Sequence, residues 1–135
     1  MISVEEKLVY AATPFRMRVL REDICDFIER QGNFPVHPLL LLPVERYNYE
    51  RHSRENIYRV CFGLVDICDE LWIFGIGGRS LKEYLHAQES GKPTRSFVKV
   101  FDAEWEHYAA KNKYKIEYKE VAEEVLHNSI TKNGS

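Results

Sequence analysis

A chain of 135 residues, 44% of them hydrophobic and 13% aromatic, has room for one domain around a single core. Nineteen basic residues against 21 acidic ones leave a net charge of −2, which excludes a global field favouring a nucleic-acid polymer or an anionic membrane; an anion must be held by a local site. Residues 1–7 are too acidic and too weakly apolar for a secretory signal, and the longest apolar run, 39–44, contains Pro43 and is too short to span a bilayer, so a soluble cytoplasmic protein is expected.

The segment 8–12, Leu-Val-Tyr-Ala-Ala, suits a short buried strand. Thr13-Pro14 ends it, because proline removes a donor and biases its predecessor toward extended geometry. Residues 15–32 carry Val19, Leu20, Ile24, Phe27 and Ile28 at helical spacing, with Gly32 as terminator. A second strand is expected over 34–37, where Pro35 and Pro38 argue against a regular central ladder, and the chain then leaves through four leucines into a long loop. The polar, Tyr/Arg-rich residues 45–54 are long enough for a functional loop and are a candidate lid.

Ser53 begins a helix whose apolar stripe, Ile57, Val60, Cys61, Leu64, Val65 and Cys68, ends near Asp69. Cys61 and Cys68 lie roughly 10 Å apart on it at 1.5 Å per residue, too far to bridge; with Cys25 they read as small buried hydrophobes in a reducing compartment. Leu71 to Phe74 is continuous and apolar, as in a strand covered on both faces. After the turn at 75–78 a helix is expected over 80–90, then Gly91-Lys92-Pro93 and a fourth strand over 96–101. Beyond Asp102 the pattern predicts a short helix over 103–110, a strand through Tyr114, Ile116 and Tyr118, and a last helix carrying Val121, Val125 and Leu126. The order predicts an α/β fold: a flavodoxin-like, Rossmann-like open parallel sheet with helices on both faces, one domain over 1–128, and a flexible tail over 129–135.

In such a sheet, ligands bind beyond the carboxyl ends of the strands, where Gly75 to Gly78 would lie. Spacing along the 80–90 helix puts Leu81, Tyr84, Leu85 and Gln88 on a packing stripe, and Ser80, Glu83 and Ala87 on a small, polar one. Glu83 is therefore expected at the cleft rather than in the core, with the helix N-terminus favouring its ionised form, as a nucleophile or general base requires. Arg16, Arg51, Arg54 and Arg79 are candidate phosphate ligands, and Arg79 beside Gly77-Gly78 is the best of them. The 75–78 turn resembles half of a dinucleotide fingerprint, but Ala12-Thr13-Pro14 lacks the required glycines, so no nicotinamide cofactor is expected. His37, His52, His86, His107 and His127 show no metal-ligand spacing, and neither a Gly-x-Ser-x-Gly elbow nor a Walker loop occurs. Trp105, His107 and Tyr108 read as local helix packing.

Three pieces in order, Leu8-Val9-Tyr10-Ala11-Ala12-Thr13-Pro14-Phe15-Arg16, then Cys68-Asp69-Glu70-Leu71-Trp72-Ile73-Phe74-Gly75, then Glu83 with Ala87 and Gly91-Lys92-Pro93, resemble the nucleoside 2-deoxyribosyltransferase-like superfamily over residues 8–101, in particular its small members. The resemblance implies that Glu83 attacks the anomeric carbon of a nucleoside or nucleotide and that Tyr10 helps to hold it, with substrate contacts at Thr13, Arg16, Gly75, Gly77, Gly78, Arg79 and Ser80. It also implies no cofactor, a small-molecule partner and a homodimer or larger assembly. Two departures stand out: bulky Arg79 and Leu81 occupy a turn where small residues are frequent, and near Cys61 the transferases carry an aspartate that contacts the base, whose acceptor or acid role a cysteine cannot take. They favour hydrolysis over base exchange, or a nonenzymatic nucleotide-binding or sensing module in which Arg79 and Leu81 close off the anomeric carbon; a third reading is an interaction protein with a vestigial cleft.

Overall fold

The first strand, β1 (Leu8–Ala12), sends alternate side chains to opposite faces of a sheet, and the protein is organised around that alternation. The structure is a computed structural model whose described residues are 6–100 and 116–126. After β1 come a 3₁₀ segment (Phe15–Leu20), α1 (Arg21–Arg30), β2 (Phe34–Val36), α2 (Pro38–Leu41), α3 (Arg54–Ile67), β3 (Glu70–Ile73), α4 (Gly78–Glu89), β4 (Thr94–Lys99) and β5 (Tyr118–Val121). The sheet order is β2-β1-β3-β4-β5, with the first four strands parallel. This is the flavodoxin-like open α/β order, whose direction reverses between β1 and β3. Asp69 seats those two strands: its carboxylate accepts from Leu8 N and its own N–H donates to Leu8 O, both at 2.8 Å.

Helices cover both faces. Val9, Ala11, Trp72, Phe74 and Phe97 pack under Ile24, Phe27 and Ile28 of α1. Tyr10, Ala12, Leu71 and Ile73 point the other way, onto Val65 of α3, Cys68 just beyond it, and Tyr84 and Ala87 of α4. Cys25, Cys61 and Cys68 are free and buried.

Several expectations are corrected. The edge strand β5 is antiparallel to β4, pairing Ser96 with Val121 and Lys99 with Tyr118. An antiparallel neighbour needs no crossover helix, and Arg95 clamps it through paired bonds to Glu120 at 2.9 and 2.7 Å. Val121 is therefore in a strand rather than a helix, and the described residues 123–126, with Val125 and Leu126, are helical. β4 begins at Thr94, two residues before its expected start, because Leu71 N already bonds Pro93 O at 3.0 Å. The single helix expected over 15–32 is split: the tighter 3₁₀ winding turns Val19 away from the α1 stripe and leaves it 76% exposed. The leucine run forms α2, with Pro38 at its first position and His37 Nδ1 accepting Leu39 N–H at 3.2 Å. The short helix over 103–110, with Trp105, His107 and Tyr108, lies outside the described residues, as do Tyr114 and the tail at 129–135.

Candidate functional site

On α4 the residues turned inward are Ser80, Glu83, Tyr84 and Ala87, whereas Leu85 is 44% exposed. The stripe expected at the cleft is thus the one that meets the sheet. Small side chains at Ser80 and Ala87 permit a close approach, and Glu83 comes in with them, wholly removed from solvent. Gly91, at φ +75°, ends this helix, and Lys92 ties the next turn to α3 through a 2.7 Å bond to Cys68 O.

The turn leading into α4 is held by Ser80 Oγ, which accepts Gly77 N–H at 2.8 Å and donates to Gly75 O at 3.0 Å. Glycine permits a close approach here: a Cβ on Gly77 would lie 2.9 Å from Pro14 Cβ and one on Gly75 3.0 Å from Pro14 Cγ, ring atoms that cannot swing aside. The β1 exit and the β3 exit are thereby pressed together, and side chains remote in sequence meet.

Tyr10 donates to Glu83 Oε2 at 2.5 Å. Arg79, one turn before Glu83 on α4, has Nε 3.7 Å from the same oxygen and donates from Nη2 to Thr13 O at 2.5 Å. Thr13 is held in turn by His37: Nδ1 accepts Leu39 N–H, which puts the ring proton on Nε2, and Nε2 donates to Thr13 Oγ1 at 3.1 Å while that hydroxyl donates to Ala11 O at 3.2 Å. Glu83 Oε1 has no hydrogen-bond partner among the described residues; the Cys61 thiol beside the carboxyl supplies only a weak favourable contact.

Burial dominates the electrostatics. It raises the Glu83 pKa above the ordinary carboxylate value, opposed by Arg79, then Tyr10, then Cys61, which reverses the expectation that the helix terminus keeps this group readily ionised. Burial and then Glu83 push the Tyr10 phenol well up, so it remains a donor. The same two causes push the Cys61 thiol up to about 11. Burial, then the positive charges of Arg79 and Arg21, bring His37 down to about 3, so the ring is neutral.

Beside this cluster lies a cavity of about 640 Å³, within the roughly 300–1,000 Å³ range of small-ligand sites. Tyr47, Asn48, Tyr49 and Glu50 of the loop before α3 form one wall, with Phe15, Arg54 and Tyr58 around them. Asn48 stabilises that loop, its amide donating to Val44 O and accepting from Glu50 N and Arg51 N. Of the residues singled out from sequence, Gly77, Gly78, Arg79 and Arg54 line the cavity. Tyr10, Thr13, Gly75, Ser80 and Glu83 stand behind the lining, and Arg16 is exposed and donates to Ile76 O at 2.7 Å. Sequence reasoning passed over His37, whose signal was its place directly before a helix-starting proline. It also passed over the tyrosines that wall the cavity, legible only as a Tyr-rich loop.

No family model, curated protein or solved structure matches this chain. Among the described residues, no three His, Cys, Asp or Glu side chains are grouped to hold a metal ion, and no helix is long and apolar enough to cross a membrane.

Proposed function

We propose that this protein cleaves the N-glycosidic bond of a nucleoside or nucleotide, in the manner of the nucleoside 2-deoxyribosyltransferase-like superfamily it resembles, with Glu83 as nucleophile. The reading rests on one observation: a fully buried carboxyl group whose Oε2 is held by Tyr10 while Oε1 has no hydrogen-bond partner among the described residues. A carboxylate oriented through one oxygen keeps the other uncommitted, to attack once the residues covering it move aside. In the proposed reaction Oε1 bonds to the anomeric carbon as the carbon–nitrogen bond breaks, and the base departs with the electron pair and takes a proton from solvent. Water then bonds to that carbon, the carboxylate leaves, and the water's proton returns to solvent. The aromatic walls Phe15, Tyr47, Tyr49 and Tyr58 suit a planar base, and Arg54 suits an anionic substituent.

A second reading is a nucleotide-binding or sensing module, favoured by the guanidinium that stands between the cavity and Glu83. Chromatography of nucleosides and 5′-monophosphates after incubation with the protein separates the two. The enzyme reading expects free base, with release at least a hundredfold lower for Glu83→Gln and Glu83→Ala. Release that survives both substitutions rejects Glu83 as nucleophile, and ligand-dependent thermal stabilisation without any release supports the binding module.

A further inference from the structure

Arg79 and Glu83 are one helical turn apart on α4, and Ile57 and Cys61 are one turn apart on α3. The first member of each pair lines the cavity; the second is fully buried and does not. The two helices therefore form two layers, a cavity floor containing Ile57 and Arg79 and, one turn deeper, the Glu83 carboxyl with the Cys61 thiol against it. No ligand in the cavity reaches Glu83 while the floor is in place.

We infer that Arg79 is an anion-operated latch: a phosphate group bound in the cavity draws its guanidinium off Thr13 O and Glu83, opening the cavity down to the carboxylate. The contacts that close the latch are few. Among the described residues the guanidinium makes one hydrogen bond, to Thr13 O, and its 3.7 Å approach to Glu83 is too long for another. Further N–H donors of its fork are thus uncommitted on a side chain that is only 14% exposed yet lines the cavity. A phosphate offers this fork a bidentate, charge-assisted partner that the lone carbonyl cannot match. Arg54 adds a second positive charge to the lining and Glu50 one negative charge, so the cavity keeps a net positive charge toward an anion.

Opening also has a chemical logic, which rests on the glycosidase reading. A buried carboxylate deprived of its guanidinium is costly, but in the oxocarbenium-like transition state the sugar carries positive charge and takes the cation's place. Before a ligand arrives, the closed latch keeps the carboxylate paired. Arg79 in this account is a specificity-determining residue, coupling recognition of an anion to exposure of the nucleophile.

Cys61 reports the open state without reference to turnover. Intact protein is treated with iodoacetamide at pH 8, with and without inorganic phosphate at matched ionic strength, and labelling of Cys61, Cys25 and Cys68 is followed by peptide mass spectrometry. The latch predicts that phosphate accelerates Cys61 labelling several-fold in wild type and leaves the other two unchanged. Arg79→Gln is expected to label Cys61 rapidly without phosphate and to show no response to it, with Arg79→Lys between the two and available if the glutamine variant does not fold. Phosphate-insensitive Cys61 in wild type, or wild-type labelling in a folded Arg79→Gln, overturns the latch. In the parallel assay, the kcat/KM ratio of 5′-monophosphate to nucleoside should fall at least tenfold in Arg79→Gln, and an unchanged ratio also overturns it. Absence of turnover with any substrate counts against the glycosidase reading alone, because the labelling result still decides the latch.

Discussion

The two faces of the sheet use the same strands for opposite ends. Toward α1, β1 and β3 present Val9, Ala11 and Trp72, and the rings of Trp72, Phe74, Phe97 and Tyr118 surround Phe27 in edge-on and tilted contacts with centroids 5.2 to 6.2 Å apart. Toward α3 and α4, the residues next in line are Tyr10, Ala12, Leu71 and Ile73, and beside them lie a buried glutamate and, where β1 and β2 end, a buried threonine and histidine. Apolar burial stabilises at roughly 25 cal/mol per Å², whereas a buried carboxyl with one unpartnered oxygen is destabilising. Both faces bury an apolar cluster, and the α3/α4 face also carries a buried carboxyl oxygen without a partner among the described residues.

The largest effect should come from the apolar face. Phe27→Ala removes the ring at the centre of that cluster and is expected to cost about 3–5 kcal/mol in urea unfolding, with folded protein keeping the Tyr10–Glu83 pair. A loss below about 1 kcal/mol would mean that the α1 face is not the main source of stability. On the other face, Tyr10→Phe removes a hydrogen bond to a charged or partly charged acceptor, worth about 1.5–3 kcal/mol. Because that bond holds the Glu83 pKa down, its loss should also move the acid limb of any base-release pH profile upward; an unmoved limb would separate Tyr10 from the ionisation of Glu83.

His37 gives a pH-dependent effect with a defined sign. Its folded pKa of about 3 lies below the ordinary 6.5, so between these values the unfolded chain binds the proton and the folded chain does not. Its contribution is fully present above pH 6.5 and declines as pH falls, by about 1.4 kcal/mol per pH unit, levelling out near pH 3. Unfolding measured from pH 7 to 4 should show this slope in wild type and a flatter one in His37→Asn; equal slopes would refute the assignment. Arg95→Ala should matter least, about 1–2 kcal/mol in all, since the half-exposed ion pair with Glu120 contributes within about 1 kcal/mol and the guanidinium 4.7 Å over the Trp72 ring adds a similar amount. A larger loss would give the edge clamp a share in holding the apolar core.

Much of the scaffold was legible because it depends on short-range periodicity. The short apolar runs of β1 and β3 and the 3.6-residue stripes of α1 and α3 specify elements whose order leads to a Rossmann-like sheet. Glu83 and Tyr10 were also visible as residue types. The depth of Glu83 was not, because periodicity marks the most apolar stripe of α4, while close approach to a sheet favours the stripe with the smallest side chains, Ser80 and Ala87. The antiparallel turn of β5 depends on pairing rather than on pattern.

By itself, then, the sequence determined the order of the main strands and helices from β1 to β4 and which titratable side chains the chain carries, since those follow from neighbours a few positions away. Only the tertiary structure decided what those side chains face. Tyr10 meets Glu83 across 73 positions and Arg79 meets Thr13 across 66, so the burial of the carboxyl, its proton affinity and the guanidinium over it are all set by contacts that no local pattern encodes.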